Sequence, residues 1–308
     1  MEKLEINHGA KIVGVINVCK PFVKWAGGKS QLLNEIRLKY PANIEKYCEP
    51  FVGGGAVLFD ILETYSPKKV LINDINKELI NTYCQIKNSV QDVIKVLKKW
   101  QNIYNDISEE ERQEIYNIKR NNYNKLIVKC NDKDLVVKAA LFIFLNKTCF
   151  NGLYRVNSEG LYNVPKGKYK KPVICDETNL MRISELLKSV EITCTDFEKC
   201  EKFIDSKTFV YIDPPYRPLT TSASFTSYAK EQFDDNDQLR LGNFIDRIND
   251  KGAKIVLSNS DPKNVDKKDN FFDDLYRKYN IKRINAKRVI NSKGTSRGNV
   301  TELLVANY

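Results

Sequence analysis

Residues Thr208 to Asp213 (TFVYID) form an apolar run rich in β-branched and aromatic side chains, and they lead directly into Pro214-Pro215-Tyr216. Such a run reads as a buried strand. Proline has no backbone N–H to give to a ladder, so the sheet must stop at this point. Asp213 is thereby placed at the carboxyl end of a strand, where open α/β sheets bind their ligands. An ordinary strand-ending turn is the alternative, although two prolines and an aromatic make it a costly one.

The neighbouring sequence supplies the frame for such a strand. Tyr47-Cys48-Glu49 ends a short strand, a glycine-rich turn follows, and Ala56 to Glu63 has helical spacing. Lys69 to Asn73 is a second strand and Glu78 to Lys87 a second helix. Glu191 to Cys194 and Ala253 to Ser258 read as further strands, and Asp235 to Asn249 as a helix whose acidic start suits the helix dipole. Two β-like runs, Ile281 to Val289 and Glu302 to Tyr308, close the chain. This alternation predicts an α/β fold with a parallel sheet and helices on its faces. The middle is different. From about Val90 to Thr148 the pattern is helical, Ser108 and Glu111 form a capping box, and Leu135 to Leu145 is apolar almost all round, as in a buried helix. Leu153 to Val156 and Leu161 to Val164 then read as a hairpin across Asn157-Ser158-Glu159-Gly160, followed by Lys166, Lys168, Lys170 and Lys171. The expected organisation is one α/β domain in two segments, 1–88 and 175–308, interrupted by an insert at 89–174. Residues 1–20 suggest no role.

Charge narrows the choice of partner. Lys and Arg number 50 against 39 Asp and Glu, a net +11. A surplus of that size suits a polyanion, because each cation on a phosphate releases a condensed counterion; a generally lysine-rich composition is the alternative. His8 is the only histidine, and none of the eight cysteines forms a C-x-x-C pair. Histidine-based acid–base chemistry, thiolate zinc sites and thioredoxin-type redox chemistry are therefore disfavoured, and no metal is expected. No apolar run reaches the roughly 18 residues of a membrane span. The short segment from Ile12 to Cys19 lacks a secretory cleavage site, so a cytoplasmic protein with reduced thiols is expected.

Three further motifs carry chemistry. Glu49-Pro50-Phe51-Val52-Gly53-Gly54-Gly55 joins strand to helix, so its glycines allow close backbone approach to a ligand beside free helix amides. It departs from G-x-G-x-x-G, and a plain tight turn is the alternative. Asp74, roughly 20 residues on, stands where Rossmann-like sites place the acidic residue that binds a ribose; helix N-capping is its other reading. Lys24-Trp25-Ala26-Gly27-Gly28-Lys29-Ser30 looks like the tail of a phosphate loop, but Val23 occupies a required glycine position, which disfavours a nucleotide triphosphatase. The glycine pair beside Trp25 and two lysines suits an aminoacyl group instead. Asp213-Pro214-Pro215-Tyr216 suits chemistry on a weakly nucleophilic aromatic amine such as that of adenine. The Asp213 carboxylate and the Pro214 carbonyl can each accept one N–H, which localises the nitrogen lone pair, while Tyr216 stacks on the base. A base buried in a duplex must be flipped out to reach them.

Taken together, KWAGGK at 24–29, EPFVGGG at 49–55, Asp74, FNGLYRVN at 150–157, NVP at 163–165, DPPY at 213–216 and FTSY at 225–228 resemble the Dam-type adenine methyltransferases, including the DpnM branch. The resemblance covers nearly the whole chain after about Pro21, and the motif order is that of the alpha class of amino-methyltransferases. It implies a Rossmann-like methyltransferase sheet with an inserted target-recognition domain, and S-adenosylmethionine as cofactor. Trp25, Lys29, Glu49, Phe51, Gly53, Gly55 and Asp74 would line the cofactor site, with Asp213 at its edge, and Asp196 and Phe197 would meet the cofactor adenine. Asp213, Pro214, Pro215 and Tyr216 would be catalytic. Lys24, Leu153, Arg155 and Pro165 match base-reading positions. Phe150, beside Asn151, matches an aromatic that inserts into the duplex, and Lys168, where arginine is common, stands near the phosphates. The implied partner is double-stranded DNA, the implied target GATC, and a cognate restriction system a functional companion; oligomeric state is left open. Arg155 on a hairpin suits two bonds to a guanine edge, with a surface salt bridge as the alternative. The tail cations Lys282, Arg283, Lys287, Arg288, Lys293 and Arg297 suit either phosphate contacts or a solvated face. Rival readings are methylation of another amine (DNA cytosine, RNA or protein) and a DNA-binding relative without activity.

Overall fold

The computed structural model describes residues 19–217, 233–287 and 299–308. The strands are β1 (Lys46–Glu49), β2 (Lys69–Asn73), β3 (Val190–Thr193), β4 (Thr208–Ile212), β5 (Lys254–Ser260), β6 (Asn280–Lys287) and β7 (Asn299–Ala306). They form one sheet in the order β3-β2-β1-β4-β5-β7-β6. β1 to β5 pair in parallel, and β7 enters antiparallel between β5 and β6. This is a Rossmann-like α/β sheet, as expected.

Both faces of the sheet are covered, and strand periodicity divides the core between them. Tyr47, Val70, Ile72, Phe209 and Tyr211 pack into one apolar cluster, while Cys48, Leu71, Val210 and Ile212 point into the other. On the second face Leu241, Phe244, Ile245 and Ile248 of a helix spanning Asp235–Asp250 seal the sheet. The first face is covered by α2 (Ala56–Tyr65), α3 (Lys77–Asp106) and α6 (Glu177–Leu187). With α1 (Leu33–Arg37), α4 (Glu109–Val128) and α5 (Leu135–Thr148) preceding it, the Asp235–Asp250 helix is α7, and α8 is Phe271–Leu275.

α3 carries the chain out of the α/β alternation. It is longer than its sequence pattern predicts, and it leaves helical geometry at Ser89 (φ −143°, ψ 35°). α4 begins with the expected capping box: Ser108 N–H donates to Glu111 Oε2 at 2.8 Å and Glu111 N–H to Ser108 Oγ at 3.2 Å. α5 is buried on nearly every side, including Leu141, Phe142, Ile143, Phe144 and Leu145. Each such side chain contributes roughly 1.5–3 kcal/mol on burial. These residues belong to the same apolar cluster as Val57 and Phe59 of α2, so insert and sheet share one core.

The expected hairpin is only partly a ladder. Its arms meet at one isolated bridge, Val156 to Tyr162, with Asn157 N–H to Leu161 O at 2.8 Å and Asn163 N–H to Arg155 O at 3.1 Å. α4 takes up backbone groups that longer strands would pair. Tyr116 OH donates to Val164 O at 2.8 Å, and the Asn124 amide bonds both ways to the Tyr162 backbone at 2.9 and 3.0 Å. Among the described residues, no helix is long and apolar enough to cross a membrane.

Candidate active site

The chain steps from β1 outward to β2 and β3, then returns to lay β4 on the opposite side of β1. This reversal opens a crevice at the carboxyl ends of β1 and β4. Glu49 ends β1, Asp74 follows β2 and Asp213 follows β4. Sheet topology thus gathers three carboxylates that are far apart in sequence.

The turn after β1 is held in a conformation that requires glycine. Gly53 and Gly55 have φ of +47° and +76°. A Cβ on Gly55 would stand 2.5 Å from the Tyr83 hydroxyl, and one on Gly53 would stand 2.8 Å from the Trp25 ring. Tyr83 OH donates to Gly53 O at 3.0 Å, and Gly53 N–H donates to Asp74 Oδ2 at 3.0 Å. The other Asp74 oxygen accepts from Asn76 N–H at 2.9 Å. Asp74 therefore ties two loops together, and its burial raises the carboxyl above the usual range despite those amides.

Glu49 is 3% exposed and accepts from Tyr47 OH at 2.7 Å. Burial pushes its carboxyl well up; Tyr47 opposes this, and the nearby charges of Asp213 and Asp74 add to it. Lys29, 4% exposed, places its ammonium 2.7 Å from Asp213 Oδ1 and from the Gly27 carbonyl. That ammonium is the charge partner of the buried Oδ1, while the Asp213 side chain as a whole is 20% exposed. Burial raises Asp213 to about 6, with Lys29 pulling the other way. The Lys29 ammonium also lies 4.8 Å from the centre of the Tyr216 ring.

Phe51 and Phe197 pack tilted with centroids 5.3 Å apart, and Phe233 joins both. Asp196 caps the short helix from Phe197 by accepting Glu198 N–H at 3.0 Å, and its second oxygen pairs with Arg240 at 2.9 Å. The Arg240 guanidinium lies 5.1 Å from the Phe197 ring centre.

Trp25 links this crevice to the insert. It packs on the Gly53-Gly54 turn and stacks on Tyr154 at 5.7 Å. The backbone of Lys24 is held by Asn146 of α5, which accepts from Lys24 N–H and donates to Lys24 O, both at 2.8 Å, and donates to Gly152 O at 2.9 Å. Gly152 lies so close that a Cβ there would stand 2.6 Å from Lys24 Cβ. Phe150, 51% exposed, donates its N–H to Pro165 O at 2.9 Å. Asn151 has φ of +55°, and Pro165 and Lys168 are exposed. Leu153 is half-buried, and Lys24 is exposed with its ammonium 5.1 Å from the Tyr169 ring centre. Arg155 is held by Asn163, Nε to Oδ1 at 2.8 Å and Nη2 to O at 3.3 Å.

Residues 25–290 match the family model of D12 class N6 adenine-specific DNA methyltransferases. The chain belongs to this family. It is 50% identical to the type II methyltransferase M.MjaIII of Methanocaldococcus jannaschii, over 94% of this chain and 99% of that one. It is 38% identical to the type II methyltransferase M1.LlaDCHI of Lactococcus lactis, over 94% and 95%, and 30% identical to the DNA adenine methylase of Escherichia coli K12, over 92% and 94%.

Within this D12 class methyltransferase, several structural partners carry no signal in sequence. Asn146 lies inside an apolar helix, Tyr83 on a helix face, and Gln238 and Glu302 far along the chain from the residues they touch. Only the oddity of a polar residue in the α5 run marks Asn146. The tail cations divide. Lys282 pairs with Glu35 at 3.0 Å, and Arg283 pairs with Asp261 at 3.0 Å and Asp273 at 2.8 Å, so Arg283 fastens β6 rather than standing free for phosphate. The Lys287 side chain, Arg288, Lys293, Arg297 and the FTSY segment at 225–228 lie outside the described residues.

Proposed function

We propose that this adenine-specific DNA methyltransferase uses S-adenosylmethionine, flips its target adenine out of the duplex, and acts at GATC. The supporting observation is the part-buried Asp213 carboxylate at the carboxyl end of β4, held 2.7 Å from the Lys29 ammonium. It stands in a crevice that also holds Glu49 and Asp74. The acidic groups Glu49, Asp74 and Asp213 around the Lys29 ammonium suit a cationic ligand, and the Gly53–Gly55 turn packs so closely on Trp25 and Tyr83 that only glycine fits there. Those features fit S-adenosylmethionine, with Trp25, Lys29, Glu49, Phe51, Gly53, Gly55, Asp74, Asp196 and Phe197 as the residues that would hold it. Once bound, the cofactor supplies an electrophilic methyl group. Asp213 and the Pro214 carbonyl accept the N–H groups of the adenine amine, localise its lone pair and take up the positive charge that develops on nitrogen. Pro215 fixes the course of the chain and Tyr216 presents its ring to the base.

The division into a catalytic unit (1–88 and 175–308) and a target-recognition insert (89–174) belongs to the same reading, supported by the break in α3 at Ser89. Lys24, Phe150, Asn151, Leu153, Arg155, Pro165 and Lys168 form the DNA side. The names of the type II relatives support a restriction-modification role. The test is labelled methyl transfer from S-adenosylmethionine to a GATC duplex and to one with the site permuted, followed by nucleoside digestion. Label in N6-methyladenosine from the GATC duplex alone is expected. Label from both duplexes discards the target, and label in another base discards the acceptor.

A further inference from the structure

We infer that Glu302, on β7, is a positioning residue for the reaction, acting through the ring of Tyr216. The inference rests on the proposed role of the Asp213 to Tyr216 segment. Pro214 and Pro215 carry no N–H, so the segment cannot be fixed by its own backbone donors there. Its anchors come instead from elements distant in sequence. Gln238 of α7, 0% exposed, donates from Nε2 to Pro215 O at 3.2 Å, and its own oxygen accepts from Asn259 Nδ2 at 3.1 Å. Arg217, immediately after the segment, pairs with Asp235 and Asp269, each at 2.6 Å. Between these anchors, Tyr216 OH donates to Glu302 Oε2 at 2.6 Å.

The ring axis of Tyr216 is thus defined at its far end by a carboxylate, while the Lys29 ammonium lies 4.8 Å from the ring centre. A short bond from a phenol to a carboxylate is stronger and more directional than one to a neutral acceptor. A ring free to turn about its side-chain torsions would present its face to the base only part of the time. Holding it in advance favours productive placement of the base. Glu302 makes no hydrogen bond or ion pair with Asp213, Lys29 or the glycine turn among the described residues; its charge adds only the last and smallest push on the Asp213 carboxyl, so its main route to the reaction is the Tyr216 ring.

The test is a double-mutant cycle on the full chain: wild type, Tyr216→Phe, Glu302→Ala and the double variant. Single-turnover methylation of a GATC duplex is read beside the KM for S-adenosylmethionine. Glu302→Ala is expected to slow the step about tenfold or more, the scale of a charge-assisted hydrogen bond, with that KM unchanged. In the Tyr216→Phe background it is expected to add nothing. Glu302→Gln, which keeps a carbonyl acceptor, should recover most of the loss and serves as the second probe if the alanine variant does not fold. Independent, multiplying effects of the two substitutions would overturn the inference, as would a Glu302→Ala rate equal to wild type. Wild type without methylation of any adenine would instead refute the underlying functional reading.

Discussion

Replacing Asn146 with alanine tests how recognition and catalysis are joined. Asn146 is 4% exposed, and its amide serves Lys24 N–H, Lys24 O and Gly152 O at 2.8, 2.8 and 2.9 Å. Truncation leaves three buried or part-buried backbone groups without that partner. At roughly 1 kcal/mol for each bond, the loss is about 3 kcal/mol. For a chain of this size that corresponds to a fall in Tm of about 5 °C. The functional consequence follows from neighbours in sequence. Lys24 belongs to the proposed DNA side and Trp25 packs on the Gly53-Gly54 turn, so loosening this segment should raise the KM for DNA and for S-adenosylmethionine together. Thermal melting and initial-rate kinetics measure both effects. A variant that melts within a degree of wild type with both constants unchanged would refute the coupling; a rise in only one would place the segment on one side of the site alone.

Other expectations follow from the same geometry. Gly55→Ala combines a φ of +76° with a Cβ 2.5 Å from the Tyr83 hydroxyl, whereas Gly160→Ala has a φ of +79° and nothing within 4 Å. Gly55→Ala should therefore cost about 2–4 kcal/mol and Gly160→Ala only about 1 kcal/mol in urea unfolding, and equal costs would count against the packed turn. Asp213 titrates near 6, above the usual carboxylate value, because it is buried. Its protonated form is the one the fold favours, so its contribution to stability is full at acid pH and is lost as pH rises through about 6. In the proposed mechanism activity needs the carboxylate and should move oppositely, with kcat/KM falling below about pH 6; a flat profile from pH 5 to 8 would exclude Asp213 as the acceptor. Arg155→Ala should relax discrimination at one base pair by about 1–3 kcal/mol, measured by competition between duplexes, whereas uniform weakening across sequences would mark a phosphate contact.

Much of this site was readable along the chain because it depends on local chemistry. A proline pair ends the strand it follows because it has no N–H to give, and a glycine run between strand and helix permits the positive φ found at Gly53 and Gly55. The carboxylates at 49, 74 and 213 each sit at a strand end, so strand assignment alone brought them to one edge. What sequence could not show are pairings across long separations. Glu302 meets Tyr216 through the antiparallel entry of β7, and Asn146 meets Lys24 because a buried helix happens to pass the loop before β1. The shortened hairpin also lay beyond local reading, since Tyr116 and Asn124 of α4 compete for its backbone. Arg283 looked like a free cation in sequence, and only the fold brings Asp261 and Asp273 to it.

The most direct measurement compares wild type with Asp213→Ala in single-turnover methylation of a GATC duplex, with DNA binding followed in parallel by fluorescence anisotropy. If Asp213 holds the adenine amine for transfer, the variant binds the duplex with nearly wild-type affinity and forms no detectable N6-methyladenosine on the wild-type timescale. A variant that binds and methylates at the wild-type rate would remove Asp213 from the reaction and contradict the chemistry derived from this site.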